Sequence, residues 1–319
     1  MSTSENGSIL KAALWMSGAI LSFSTMAVAG RAAAFDLDTF EIMFYRSCIG
    51  FLVVLAVASV AGTLPQIRAQ KLGLHAARNL AHFSGQNLWF YAITVIPLAQ
   101  VFALEFTSPL WVLLLSPLIL GEKLTSARML AGLLGFVGIL IVARPSPESF
   151  NSGILTAALA AVGFALSALF TRRLTRTETI TCILFWLTFM QIGFGLIAAG
   201  YDGDMALPSA QTLPWLVLIG FAGLLAHFCL TSALAIAPAT IVVPIDFIRL
   251  PAIAVVGALV YGEALDPWVF VGARLFGCAG RYGAVVVWPQ RCGLFPDGRL
   301  FGHDVLLCAQ AGRAAGLQL

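Results

Sequence analysis

IPLAQVFALEFTSPLWVLLLSPLILGEKLT, residues 96–125, and APATIVVPIDFIRLPAIAVVGALVYGEALD, residues 237–266, decide the architecture. At a constant offset of 141 residues, Pro97 meets Pro238 and Val101 meets Val242. Glu105 meets Asp246, Phe106 meets Phe247, and Gly121-Glu122 meets Gly262-Glu263. Biased apolar composition yields chance Leu and Val matches. It does not readily yield a proline, an acid and a Gly-Glu pair in one ungapped register. The chain therefore reads as two copies of one unit.

Composition says what surrounds those copies. Of 319 residues, 60% are hydrophobic and 10% charged, and the mean hydropathy is +0.93. Soluble domains carry roughly a quarter charged residues, so lipid must be the main solvent here. A net charge of +3 with no basic run excludes a nucleic-acid footprint. None of the six cysteines forms a C-x-x-C pair, so no zinc site, disulfide framework or cofactor is expected. Ala12–Gly30 resembles a secretory signal ending in Ala27-Val28-Ala29. Its 19 uncharged residues are enough to span a bilayer, so it reads as an uncleaved first helix.

Charges and prolines divide the chain into ten apolar spans, at about 10–30, 40–61, 72–95, 98–120, 126–143, 152–171, 180–200, 212–234, 239–261 and 267–288. Met205–Ile245 is 41 residues without Asp, Glu, Lys or Arg, too long for one span, and Pro238 divides it. Ile96-Pro97-Leu98 makes the matching division upstream. Backbone groups in hydrocarbon must bond within their own segment, and the runs are too long and uniform for barrel strands, so all are helices. The predicted class is all-α integral membrane. The first five-helix repeat covers 10–143, the second 152–288, and an atypical tail 289–319.

Lys11, Arg68, Lys71, Arg78, Lys123, Arg128, Arg172, Arg173 and Arg176 fall on one side of such a bundle, and only Arg31 and Arg144 on the other. The positive side faces the cytoplasm, which places the N-terminus there. Five helices per copy is odd, so the second copy enters from the opposite face. Inverted repeats recur in secondary transporters, with the solute bound between the halves near the midplane.

Ten apolar spans, the five-plus-five repeat and the paired Gly-Glu resemble the EamA-type branch of the drug/metabolite transporter superfamily. FEIMFYRSCIG and RNLAHFSGQNLWFYAITVIPLAQ, at residues 40–50 and 78–100, look like its bacterial members. The resemblance covers about residues 10–272. It implies a carrier in the cell inner (plasma) membrane that moves a small metabolite or drug-like solute without ATP. Relatives differ widely in solute.

Intramembrane charges cost several kcal/mol when unpaired, so they mark candidate sites. These are Arg46, Glu105, Asp246 and Arg249. The repeat places Glu105 and Asp246 at matched depths on either side of the midplane, suited to coupling protons or binding a substrate amine. The structural alternative is mutual neutralisation. Asp246 and Arg249 are three residues apart on one helix, and Arg46 is expected to reach Glu105 or Asp246 across helices. Arg78, His82, Gln86 and Trp89 share one face of the third helix, with Asn87 and Tyr91 beside it. Gln86 meets His227 in the repeat. Such a stripe lines a solute path or bonds neighbouring helices; neither histidine has a second ligand at metal-binding spacing. Trp111, with Trp89, is a candidate for stacking on a solute. Pro109, Pro117, Pro244 and Pro251 are expected to kink helices four and nine. Gly132, Gly135 and Gly138 suit close internal packing, with homodimer contact as the alternative.

After about Gly272 the pattern changes. Arg274 and Arg281 interrupt the tenth span, and three of the six cysteines follow Gly272. A frame change in the coding DNA near residue 273 would produce such a tail; a divergent functional tail is the alternative. No Walker motif, G-x-S-x-G or H-E-x-x-H is present. The expected function is therefore secondary transport of an amine-bearing metabolite such as an amino acid or an S-adenosylmethionine-like compound. The rival is an intramembrane enzyme using His82 and Glu105 on a lipid-like substrate.

Overall fold

The computed structural model describes residues 3–121, 151–201, 205–239 and 245–264, with scattered positions from 124 to 139 and Val242, and side chains from Leu10 onward. The tenth expected span, the C-terminal tail and most of the fifth span lie outside the described residues. Among these, all regular structure is helical: α1 (Thr3–Ala33), α2 (Thr39–Val60), α3 (Leu72–Val95), α4 (Leu98–Glu105), α5 (Ser108–Leu120), α6 (Ser152–Leu174), α7 (Ile180–Ala199), α8 (Leu213–Ile236) and α9 (Arg249–Tyr261). A 3₁₀ turn, Asp246–Ile248, leads into α9.

Local chemistry sets most of these ends. Asp38 and Glu41 form a reciprocal capping box that starts α2. The side chains of Asn151 and Thr179 accept backbone N–H groups to start α6 and α7. Helices α3 and α8 both stop in extended backbone, at Ile96 (φ −131°, ψ 160°) and Ala237 (φ −138°, ψ 155°). The next residue is proline in each case, and its ring disfavours helical geometry before it. Gly121 and Gly262 close α5 and α9 at φ +69° and +65°, where a β-carbon would be strained.

The expected kink in helix four is a break. Pro109 has no N–H, and its ring crowds the Glu105 carbonyl, so α4 ends at Glu105 and α5 starts at Ser108. The 3₁₀ turn at Asp246–Ile248 occupies the matching position of the second copy, where Pro251 likewise excludes a partner for the Phe247 carbonyl. Both breaks leave charged residues at helix termini buried inside the bundle.

Helix α1 packs along α8, α3 along α6, and α2 along α7. Glycine allows the α3–α6 approach: a β-carbon on Gly163 would lie 2.8 Å from the Ala81 carbonyl oxygen and 2.9 Å from Gly85 Cα. One apolar core gathers Ile42, Phe90, Ile93, Phe102 and Leu250, and a second gathers Met16, Val112, Leu169, Leu234 and Val242. Large apolar side chains such as Leu52, Leu118, Ile197 and Leu259 point outward, while Arg46, Arg78, His82, Gln86 and Arg249 are buried. That inside-out distribution suits lipid. Six described helical stretches are long and apolar enough to cross a membrane. Helix α3 is as long, but carries its polar stripe inward.

Candidate functional site

The helix breaks and the α3 stripe face one cavity. It encloses about 810 Å³ of empty space, mouth included, and is bounded by α1, α3, α4, α5, α6, α8 and the turn before α9. Its lining lies from mid-bundle toward the end that carries the N-terminus: Met16 on α1, Arg78 on α3, Thr171 on α6 and Thr231 on α8.

On the α4–α9 wall, Arg249 Nη2 donates to Glu105 Oε1 and to Asp246 Oδ2, both at 2.5 Å. Trp89 Nε1 donates to the other Glu105 oxygen at 2.7 Å. The guanidinium lies 4.8 Å from the Phe102 ring centre and 5.1 Å from that of Phe23. Charge pairing and aromatic faces together keep this cation buried. The acids expected on either side of the midplane thus converge on one guanidinium. Arg46 does not pair with either: its Nη1 lies 3.6 Å from Met26 Sδ, beside a smaller cavity that His227 also lines. Arg249 is closer because the break delivers it to the same level as Glu105.

The opposite wall is neutral and basic. Arg78 donates to Thr171 Oγ1 at 3.1 Å and to Asn79 Oδ1 at 2.7 Å, with no carboxylate partner among the described residues. His82 and His227 meet edge to face, ring centres 4.5 Å apart. His82 Nε2, Gln86 Oε1 and both nitrogens of His227 are buried with no hydrogen-bond partner among the described residues. Unbonded buried polar atoms are costly, so these four mark where a polar ligand or water would bind.

The sequence candidates therefore divide. His82, Gln86, Trp89, Glu105, His227, Asp246 and Arg249 line the cavity together. Arg46 stands behind it. Trp111 stays outside, 38% exposed on the outer surface of α5. Tyr91 likewise faces outward and pairs with Ser152. Sequence reasoning missed Ser108, Phe164 and Thr171 in the lining because small and apolar residues carry no signal in an apolar helix. It also missed a cluster away from the cavity, where ligand atoms of His75, Glu178 and Cys182 lie within 4.8 Å of one another. Cys182 Sγ is already engaged by the Arg68 backbone at 3.4 Å.

At the far end of the bundle, Arg31 closes the space between the copies. Its Nε and Nη2 donate to the carbonyls of Ile93 and Ile96 at 2.8 and 3.0 Å. Its Nη1 meets Glu263 Oε1 at 2.5 Å. The same carboxylate accepts Leu98 N–H, at 3.1 and 3.2 Å to its two oxygens. At the near end, Arg172 Nη1 donates to the carbonyls of Leu234 and Ala235, at 2.5 and 3.3 Å.

The profile of the EamA-like transporter family matches residues 10–144 and again residues 151–280. The chain belongs to the EamA-like transporter family. This EamA-like protein is 33% identical over 272 residues to a riboflavin transporter of Vibrio cholerae, covering 83% of this chain and 90% of the relative. It is 33% identical to a riboflavin transporter of Brucella anthropi, covering 76% and 86%. With an S-adenosylmethionine uptake transporter of Rickettsia felis the identity is 26%, covering 81% and 87%. A protein of known crystal structure shares the fold at a TM-score of 0.69 and 18% identity, over 88% of this chain and 98% of that one. This member of the family is thus a multi-pass membrane protein of the small-metabolite transporter class.

Proposed function

We propose that the protein is a secondary carrier that moves a planar, hydrogen-bonding heteroaromatic metabolite, riboflavin or a close analogue, across the inner membrane by alternating access. The observation that carries this reading is the group of unbonded neutral polar atoms on Gln86, His82 and His227, flanked by Phe23, Phe164 and Trp89. Apolar faces with a few convergent donors and acceptors are what a flat, uncharged ring system requires. The riboflavin transporters among the relatives support the assignment.

The topology in this reading is ten helices in two inverted halves, with the N-terminus in the cytoplasm. Matched backbone at Ile96 and Ala237, at the two helix breaks and at Gly121 and Gly262 supports the repeat. The pairing of α1 with α8 and of α3 with α6 supports it too, since the offset exchanges these pairs. No step of covalent chemistry is needed.

Proteoliposome uptake tests the function. Riboflavin flux that saturates, is blocked by excess unlabelled riboflavin and falls at least about tenfold in Gln86→Leu is the expected result. Absence of saturable riboflavin flux overturns the assignment. A second reading, an amine-bearing solute such as S-adenosylmethionine, is favoured by Asp246 Oδ1, which is buried without a partner. In that case S-adenosylmethionine competes for uptake and Asp246→Asn abolishes the competition. Protons are the proposed coupling ion, and an uncoupler should then collapse accumulation.

A further inference from the structure

We propose that His75, Glu178 and Cys182 form a zinc site that ties the two copies together at the end of the bundle that carries the N-terminus. The site lies away from the transport cavity, and the inference stands independently of the carrier reading.

Three elements supply the ligands. His75 sits in the first turn of α3, in the first copy. Glu178 lies in the turn between α6 and α7, and Cys182 in the first turn of α7, both in the second copy. One ligand atom of each lies within 4.8 Å of the others. In a tetrahedral zinc site, bonds of about 2.0–2.3 Å separate ligand atoms by about 3.3–3.8 Å, so closing on an ion needs shifts of about 1 Å. Imidazole nitrogen, carboxylate oxygen and thiolate sulfur are the three donor types that zinc takes, whereas magnesium and calcium prefer oxygen alone. His75 supplies an independent observation. It is fully buried, yet neither ring nitrogen has a hydrogen-bond partner among the described residues. Such an arrangement costs free energy until a ligand supplies a partner. Zinc takes one nitrogen and leaves the other to water. The Trp186 ring, 6.1 Å away between ring centres, packs beside the imidazole.

The surroundings of Cys182 suit a thiolate. Arg68 N–H donates to Sγ at 3.4 Å, and the thiol donates back to the Arg68 carbonyl at 3.4 Å. Binding forms a Zn–S bond and breaks the S–H bond, and the proton leaves to solvent. The Arg68 carbonyl then keeps Trp186 Nε1 as a donor at 2.8 Å, and Arg68 N–H faces the sulfur charge. One thiolate and one carboxylate balance a divalent ion. The filled site is therefore neutral, compatible with burial and with Arg78 one turn along α3. The turn is exposed at Arg176, Thr177 and Thr179, which gives an ion a path from water. At the 141-residue offset the corresponding positions hold Leu216, Leu37 and Glu41, so the site belongs to one end of the bundle only.

The test uses zinc itself on the purified, untagged full chain in detergent, stripped with a chelator and then dialysed against zinc. One zinc ion retained per chain after desalting is the expected result. Cobalt in its place is expected to give the near-ultraviolet sulfur-to-cobalt charge-transfer band of a thiolate ligand. Glu178→Gln and Cys182→Ser are each expected to weaken zinc binding at least about 100-fold in chelator competition, the upper end of what losing an outer-shell partner costs. Glu178→Gln alters a turn rather than a packed helix, so it remains decisive should the Cys182 variant fold poorly. Replacing Cys278, Cys292 and Cys308 together by serine is expected to leave both the affinity and the band unchanged. Failure to retain zinc, or retention without the cobalt band, overturns the site. Equal affinity in the parent and in Glu178→Gln and Cys182→Ser, an adventitious ion only, overturns it as well.

Discussion

Arg249 shows how one side chain can settle a membrane interior. Both acids bond to it, and its guanidinium is almost wholly buried. Removing it leaves two facing carboxylates, and breaking a buried pair typically costs about 3–5 kcal/mol. Arg249→Gln should therefore lower the apparent Tm in detergent by at least about 5 °C and remove transport, whereas Arg249→Lys retains the charge and part of the stability. The two tryptophans give a sharper contrast. Trp89→Phe frees a Glu105 oxygen and should cut uptake about tenfold, if one charge-assisted hydrogen bond is worth about 1.5 kcal/mol. Trp111→Ala removes a ring from the outer surface and should leave uptake within about twofold. That charged residues lie buried inside the bundle was legible from their rarity. The Asp246–Arg249 pair was legible from its i, i+3 spacing, but the cation that serves Glu105 was not: Arg46 was expected there, and only the helix break brings Arg249 level with it. Arg31 was overlooked because an arginine at a helix end is ordinary; its match to Arg172 in the repeat was the available signal.

At the scale of elements, prolines were the informative letters. Pro97 and Pro238 fix where α3 and α8 end, and Pro109 converts an expected bend into a gap, because it offers the Glu105 carbonyl no N–H and its ring crowds that oxygen. The α3–α6 approach was less readable, since glycine in an apolar run carries no direction. Gly163→Val puts branched carbon atoms where the β-carbon alone already meets backbone at 2.8 Å. Overpacking of this kind costs about 1–3 kcal/mol, and thermal unfolding should show a loss in that range. Outside the hydrocarbon, Asp36 accepts hydrogen bonds from the hydroxyls of Thr212 and Ser209 beside the start of α8. Those bonds hold its carboxyl below the usual carboxylate range. Its stabilising effect is therefore complete above about pH 4 and is lost as pH falls through the lowered value. Asp36→Asn should flatten that acid limb of a Tm-versus-pH curve while leaving the neutral region nearly unchanged.

For the whole molecule, the inverted arrangement proposed above makes a direct topological claim. Leu124→Cys and Ala264→Cys follow the matched glycines, and impermeant labelling of right-side-out cells should reach the second and not the first. Two-copy organisation was legible because the offset is ungapped. The cavity was legible from its polar stripe and buried charges, whereas the α6 wall of Phe164, Ala165, Ser167, Ala168 and Thr171 was not. The contact of Gly85 with Gly163 has a mechanical corollary. These residues belong to different copies and meet backbone to backbone, near the middle of both helices. The positions that exchange with them hold Ser22 and Ala226, also small and buried. Under the alternating access proposed above, this close contact is where one copy would pivot on the other. Displacement in that proposed motion is least at this fulcrum and grows with lever arm, so a few degrees of rocking at the centre would open ångströms at the rims.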